Sequence, residues 1–250
     1  MKIAVCIKRV PDTATRIKIG ADGKSIVEDG VKFVLNPYDE YAIEEALQLK
    51  EKSGDGEVVA IAMGSDASQE TIRGALAMGV DRGILLQTDA VSLNPVAVAK
   101  VLAAELDGAG YDLIFFGKFA VDDCSQAVGT IVSELLSIPS VSAIGHLEVA
   151  DGKGTAEREI EGGVEVVEFS LPAVVTADKG LNEPRYPALR GIMMAKKKPL
   201  EVKPVELSDG GMTVIQLALP PERPEGRIVG EGPDAVPALI EALRTEAKVL

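Results

Sequence analysis

The first part of the chain alternates between short apolar runs and longer stretches with helical periodicity. The run IAVCI (3–7) is bounded by polar residues, which is typical of a buried parallel strand. A stretch opening at Asn36 has apolar residues on one helical face, so we predict a helix that ends at Gly54, with Glu44 and Glu45 directed outward. Repetition of this plan predicts an α/β fold with a doubly wound, mostly parallel sheet.

The second half of the chain follows another pattern. Three alternating segments predict antiparallel strands with a turn at Gly162–Gly163, and AVVTA (173–177) returns to the main sheet. Residues 201–212 have the composition of a linker. We therefore predict an α/β domain over residues 1–205. Residues 206–250 form an extended C-terminal arm with a short helix; it is too small to hold its own core and packs on another surface.

Composition restricts the chemistry. The net charge of −13 argues against nucleic acid as a partner. Two cysteines, Cys6 and Cys124, give no disulfide framework and fit a reducing compartment. His146 is the single histidine and lies in a strand pattern, so we interpret it as an ordinary strand residue. We expect a soluble intracellular protein without a catalytic triad or a metal site.

Anion sites in such sheets lie at the carboxyl ends of strands, close to helix N-termini. The candidate ends are Cys6–Lys8, Met63–Gly64, Gly117–Lys118 and the segment after Ala177. None carries a dinucleotide fingerprint or a phosphate loop. The match to G-x-G-x-x-A at Gly230–Ala235 lacks a surrounding strand–helix–strand unit, so we do not interpret it as a phosphate site.

The strand end GKFAVDDCSQAVGT (117–130) is the most informative of these. Ser125, its neighbouring glutamine and the first N–H groups of the following helix would hold a phosphate. Asp122 and Asp123 would repel an anion, so they would cap the helix or contact ribose hydroxyls. The alternative is a capped structural helix in which Cys124 is an ordinary loop thiol.

The segment GLNEPRYPALRGIMMAKKKPL (180–200) has neither the aspartates nor the histidines that acid–base catalysis would need. It places an isolated leucine in proline-rich chain next to a lysine triplet. An apolar anchor of this kind is typical of a docking site. A proline-rich surface loop with solvated lysines is the alternative, and Arg185 and the lysines could also bind phosphate.

Taken together, these residues resemble the β subunit of electron transfer flavoproteins, in the branch that contains AMP and shuttles electrons. The matching segments are VCIKRVPD (5–12), GVKFVLNPYDE (30–40), QETIRGALAMGVDRG (69–83), GKFAVDD (117–123) and PAVVTADKGLNEPRYPALRGIMMAKKKPLEV (172–202). The last is long and highly specific.

The resemblance implies an electron carrier subunit, not an enzyme, with a sheet of the adenine-nucleotide-binding type. It implies a heterodimer with a larger α subunit that holds most of the FAD site, and on which the C-terminal arm packs. FAD would accept electrons from acyl-CoA dehydrogenases and related enzymes of fatty acid β-oxidation and pass them singly to a membrane-bound quinone oxidoreductase. The compartment would be the bacterial cytoplasm or the mitochondrial matrix.

The resemblance also assigns residues. A structural AMP would contact Cys6, Asn36, Met63, Asp122, Asp123, Cys124, Ser125, Gln126, Ala127, Val128, Gly129 and Thr130. The residues at the FAD edge would be Tyr38 and Thr13, the latter standing where the family has a second aromatic. The residues facing partners would be Leu189 as the anchor, Arg185, Tyr186, Lys196, Lys197, Lys198 and, toward the α subunit, Glu159.

Three other functions compete with the electron-shuttling one. A bifurcating branch of the family holds a second FAD in place of AMP, with a loop that has glycine and glutamine where this chain has Asp123 and Ala127. The start of the chain lacks an early aromatic, as in that branch, whereas the complete segment 180–200 favours the shuttling branch. A stand-alone adenine-nucleotide sensor would have no use for that segment. An ATP-hydrolysing enzyme would need a phosphate loop.

Overall fold

The computed structural model describes residues 1–89, 94–207, 212–222 and 225–250. Most of their strands join one large sheet, and two short ones form a separate antiparallel pair. The strands are β1 (Lys2–Ile7), β2 (Arg9–Pro11), β3 (Phe33–Leu35), β4 (Glu57–Gly64), β5 (Arg82–Gln87), β6 (Leu113–Gly117), β7 (Ser140–Ala150), β8 (Lys153–Ile160), β9 (Gly163–Ser170), β10 (Ala173–Ala177) and β11 (Leu200–Pro204).

The helices of the main body follow the strands at the spacing that the sequence predicts. The α-helices are α1 (Pro37–Ser53), α2 (Ser68–Met78), α3 (Pro95–Leu106), α4 (Val128–Leu136), α5 (Leu189–Ala195) and α6 (Val236–Ala242). The last is flanked by a 3₁₀ turn at Pro233–Ala235 and a π turn at Leu243–Ala247. Within the described ranges, no helix has both the length and the apolar character needed to cross a membrane.

The large sheet has the strand order β11-β5-β4-β1-β6-β10-β7-β8-β9. Neighbouring strands are parallel from β11 to β7, and β8 and β9 add antiparallel pairs. Ile43 of α1 and Ile72 of α2 are buried in the core on one face. Leu102 of α3 and Val132 of α4 belong to a second core on the other. The doubly wound, mostly parallel sheet that the sequence predicts is confirmed.

Two local predictions differ from the structure. Residues 201–204, the start of the predicted linker, belong to β11, which pairs with β5. Lys203 of this edge strand bonds to Glu105 of α3, so a polar, proline-ended strand is held by tertiary contacts that composition does not reveal. The end of that linker, residues 208–211, lies outside the described residues. The turn between β8 and β9 occupies residues 161–162, one position before the predicted pair.

The C-terminal arm buries none of its described residues. Large apolar side chains are exposed along it, including Ile215, Leu219 and Ile228. One contact with the body is the hydrogen bond from the Leu217 N–H to the carbonyl of Gly23. Residues 223–224 of the arm are not among the described ones. Division into a domain over 1–205 and an arm over 206–250 stays a prediction.

Candidate functional site

The carboxyl ends of β1 and β6 meet where the chain changes direction across the sheet, and such a point is where open α/β sheets bind ligands. The loop after β6 (118–127) is fixed there by Asn36. The Asn36 side-chain oxygen accepts the N–H of Val121 at 3.1 Å. Its amide donates to the carbonyl of Phe119 at 3.0 Å. Asn36, predicted as a nucleotide contact, therefore supports the loop's backbone.

Lys8, directly after β1, neutralises part of the loop's negative charge. Its ammonium group lies 2.8 Å from a carboxylate oxygen of Asp122 and 2.9 Å from one of Asp123. Burial lowers the pKa of Lys8, but its hydrogen bonds and charge interactions with the two aspartates outweigh burial and leave the pKa raised. The sequence predicts that the two aspartates repel an anion, and pairing with Lys8 reduces that repulsion.

The loop enters α4 through an exposed and strained turn, residues 122–126. Cys124 and Gln126 have left-handed φ angles of 52° and 51°. This conformation costs a residue other than glycine about 1–3 kcal/mol and is often found in ligand-binding loops. No side chain caps the start of α4, where Gly129 is buried and Thr130 exposed. The turn thus leads exposed polar groups to an uncapped helix N-terminus, which suits an anion.

Asp39, which follows Tyr38 in the first turn of α1, joins the ends of the two central strands. Its carboxylate accepts the Lys8 N–H at 2.7 Å and the Gly117 N–H at 3.2 Å. It also accepts the Asn36 amide at 2.8 Å. Gly117 has to be glycine for this contact, because a Cβ there would lie 2.4 Å from the Asp39 carboxylate. Hydrogen bonds of Asp39 therefore join residues 36–39 to the ends of β1 and β6, and these residues are called the unit 36–39.

We predict a pH dependence of stability from Asp39. Burial raises its pKa to about 7, against the hydrogen bonds that favour the carboxylate. The folded state holds a proton that the unfolded state has released, so stability is lost as the pH rises from about 4 through about 7. Relative to Asp39→Asn, the natural chain should lose about 2–3 kcal/mol of unfolding free energy between about pH 5 and about pH 8. A constant difference in denaturant titrations would contradict this.

Tyr38 covers the same loop with its ring. The centroids of the Tyr38 and Phe119 rings lie 4.4 Å apart, with the ring planes tilted by 44°. This is a favourable aromatic pair, and it ties the predicted flavin-edge aromatic to the loop that Asn36 holds. Thr13, the other predicted flavin-edge residue, is exposed in the turn after β2.

Residues 180–200, which the sequence predicts as a docking site and which are called the docking segment, are held on α1 by two polar side chains. The Arg185 guanidinium bonds to Glu44 at 2.8 and 2.9 Å and to Glu51 at 2.6 and 3.1 Å. Asn182 donates to Glu45 at 2.9 Å. The prediction that Glu44 and Glu45 point outward is wrong, because the segment covers that face of α1 and buries both.

The other end of the docking segment is held on α2. Arg73 donates to the carbonyls of Ala195 and Lys198 at 2.6 and 2.7 Å. Lys198 in turn donates to the carbonyls of Leu76 and Val80 at 2.9 and 2.6 Å. Each cation thus satisfies carbonyls at the end of the partner helix. A groove of about 550 Å³ runs between α2 and α5.

Between these two attachments the segment exposes large apolar side chains. The relative exposures are 96 % for Tyr186, 81 % for Leu189 and 66 % for Met193. Lys196 and Lys197 are exposed beside them. A surface of this composition, with apolar residues at the centre and cations at its edge, is typical of a protein interface.

Comparison with known proteins assigns the family. The model of the electron transfer flavoprotein domain matches residues 24–208. An electron transfer flavoprotein subunit beta of Syntrophomonas wolfei is 41 % identical over 250 residues, covering 100 % of this chain and 98 % of its own. That of Bacillus subtilis is 41 % identical with 100 % of both chains covered. The human one is 42 % identical, covering 96 % of this chain and 97 % of its own.

The chain belongs to the electron transfer flavoprotein β-subunit family.

The remaining residues predicted from the family lie at or near the expected strand ends. Cys6 is buried in β1, Met63 is half-buried near the end of β4, and Ala127 and Val128 are half-buried where α4 begins. Burial, and then the charge of Asp39, raise the pKa of the Cys6 thiol. Because β4, β1 and β6 are neighbours, the structure brings these residues to one edge of the sheet.

The sequence predicts Glu159 as a partner contact and His146 as an ordinary strand residue, and they lie in β8 and β7. Glu159 is exposed on β8, close to the β8–β9 turn, and is not part of the strand-end site. His146 lies in β7 as an exposed strand residue, 3.6 Å from Glu148. Contact of Glu159 with an α subunit stays a prediction.

Sequence reasoning missed three residues that organise the site at the strand ends: Lys8, Asp39 and Phe119. An acidic residue in the first turn of a helix is common, so Asp39 carried no signal of its burial. A lysine after a strand is equally ordinary. The available signal was the position of Lys8 and Asp39 beside strand ends that had already been selected as candidates.

Proposed function

We propose that this chain is the β subunit of a heterodimeric electron transfer flavoprotein. It holds AMP on the loop after β6 and completes the FAD site of a larger α subunit. Acyl-CoA dehydrogenases and related enzymes dock on residues 180–200 and reduce the FAD. Electrons then leave singly to a quinone oxidoreductase.

The observation that carries this proposal is the docking segment. It exposes Tyr186, Leu189 and Met193 while both of its ends are fixed by buried or half-buried ion pairs and carbonyl contacts. It contains neither aspartate nor histidine, and its glutamate, Glu183, is exposed to solvent. An electron carrier needs such a surface, because it must hold a partner briefly and bring a redox centre close without taking part in bond chemistry.

The loop after β6 fits AMP by its chemistry. Ser125, the uncapped start of α4 and Lys8 would offer hydrogen bonds and positive charge to a phosphate. Asp122 and Asp123, already paired with Lys8, would accept ribose hydroxyls. When bound, FAD supplies the redox chemistry, and Tyr38 would stand at its edge, held by Phe119.

The proposal is tested by following flavin absorbance in the purified αβ heterodimer. Acyl-CoA and a catalytic amount of acyl-CoA dehydrogenase should bleach the flavin, and bleaching should saturate with heterodimer concentration. A chain that copurifies with no flavoprotein α subunit, or a heterodimer whose flavin the dehydrogenase leaves oxidised, would remove the electron-carrier function.

The three lysines at the end of the docking segment should divide into two roles. Lys196 and Lys197 are exposed, so Lys196→Gln/Lys197→Gln should slow association with an acidic dehydrogenase surface about threefold to tenfold at low salt. Added salt should erase this difference. Lys198→Gln removes donors to two carbonyls and should instead lower stability by about 1–2 kcal/mol. Stopped-flow rates and thermal unfolding separate the two; equal effects of all three lysines on association would contradict the division.

A further inference from the structure

We propose that Arg185 is a positioning residue that never contacts the partner dehydrogenase: its ion pairs with α1 preset the position of Leu189. The inference rests on the proposed docking function. It replaces the expectation that Arg185 binds a partner or a phosphate, since the structure shows its guanidinium turned into the chain.

The Arg185 side chain is half-buried and is held by two carboxylates of α1, an arrangement called here the clamp. Its guanidinium makes four hydrogen bonds to the carboxylates of Glu44 and Glu51, between 2.6 and 3.1 Å. Its own N–H adds a fifth, to Glu44 at 3.1 Å. Glu44 is only 3 % exposed. Paired planar groups of this kind fix orientation as well as distance.

The chain between the clamp and the anchor is short and stiff. Three residues separate Arg185 from Leu189, and one of them is Pro187, whose ring fixes its φ angle. Leu189 is the first residue of α5, so its side chain is placed by the geometry of this junction.

The downstream end of the segment is fixed independently. Arg73 donates hydrogen bonds to the carbonyls of Ala195 and Lys198. At Gly191 a Cβ would lie 2.4 Å from the carbonyl oxygen of Ala77, so α5 packs directly on α2. The apolar side chains therefore project from a span supported at both ends. A preset surface loses less conformational freedom on binding, which strengthens binding without new contacts.

Helix α1 connects the clamp to the proposed nucleotide site. Glu44 and Glu51 lie on α1, and α1 begins at the unit 36–39 that holds the loop after β6. One helix thus sets the positions of both the docking segment and Tyr38.

The discriminating variant is Glu44→Gln/Glu51→Gln, which removes the two carboxylate charges that pair with Arg185 but leaves Arg185 in place. This variant should still fold, because the Arg185 guanidinium that loses its ion pairs is partly exposed to water. In the intact heterodimer, the KM for heterodimer in dehydrogenase turnover should rise about tenfold with kcat unchanged. Amide hydrogen exchange over 183–189 should speed up about tenfold, while exchange in the central strands stays the same. Glu134→Gln, an exposed glutamate of α4 on the opposite face of the sheet, is the matched control and should change neither readout.

A double-mutant cycle completes the test. Arg185→Gln should raise KM about tenfold when Leu189 is present. In the Leu189→Ala background it should raise KM less than about twofold, because the clamp acts through Leu189. An unchanged KM in Glu44→Gln/Glu51→Gln, or an equal effect of Arg185→Gln in both backgrounds, would overturn the positioning role. If Leu189→Ala itself left KM unchanged, the docking function would fail, which is a separate result.

Discussion

Replacing Leu189 by alanine is expected to lower kcat/KM for electron acceptance from an acyl-CoA dehydrogenase about 30-fold. The side chain is 81 % exposed at the start of α5, between the attachments at Arg185 and Arg73. An apolar anchor that fills a partner's pocket contributes about 2 kcal/mol or more, and that loss corresponds to about 30-fold. The isolated heterodimer gains nothing from this side chain, so its stability and flavin content should stay the same.

The measurement is flavin bleaching by catalytic dehydrogenase over a range of heterodimer concentrations. Chemical reduction by dithionite is the internal control and should proceed at the natural rate. Leu135→Ala is the matched control variant, because Leu135 is an exposed leucine of α4 on the opposite face of the sheet. An unaltered kcat/KM in Leu189→Ala would show that the dehydrogenase docks elsewhere.

The second large effect is expected for Asn36→Ala, which should remove AMP from the heterodimer. The Asn36 side chain makes hydrogen bonds to Val121, Phe119 and Asp39, and the alanine can make none of them. Each buried group left unpaired costs about 1–3 kcal/mol. The loop over 118–127 would lose its fixed position, and AMP content should fall from one per heterodimer to near zero.

Nucleotide released by acid is quantified for this test, alongside circular dichroism to confirm that the sheet is intact. Asn182→Ala is the matched control, since it also removes donors of an asparagine side chain but at the docking segment. It should keep its AMP. Full AMP content and unchanged AMP affinity in Asn36→Ala would show that the loop does not depend on the unit 36–39.

The sheet and its strand ends were predictable from sequence because local patterns decide them. Alternation of buried runs such as residues 3–7 with amphipathic helices leaves few possible topologies. The carboxyl ends of parallel strands then fall on one edge, so the loop over 118–127 could be selected before its contacts were known. The docking segment was equally visible, since an isolated leucine in proline-rich chain stands apart from any core pattern.

The contacts that hold both sites could not be predicted in the same way. Lys8 bonds to Asp122, which lies 114 positions further along the chain. Arg185 bonds to Glu44, which lies 141 positions before it. A helical periodicity shows which residues share a face of α1, but not what covers that face. Glu44 and Glu45 therefore looked solvent-directed, although the docking segment buries them. Polar partners far apart in sequence leave no periodic trace, and their pairing follows only from the folded topology.

The most direct test of the account is identification of the small molecules released when the purified αβ heterodimer is denatured. Mass spectrometry and absorbance should find one FAD and one AMP for each heterodimer, with AMP lost and FAD kept in Asn36→Ala. Two FAD and no AMP would contradict the account, because the loop after β6 would then hold a second flavin and the protein would belong to the bifurcating branch.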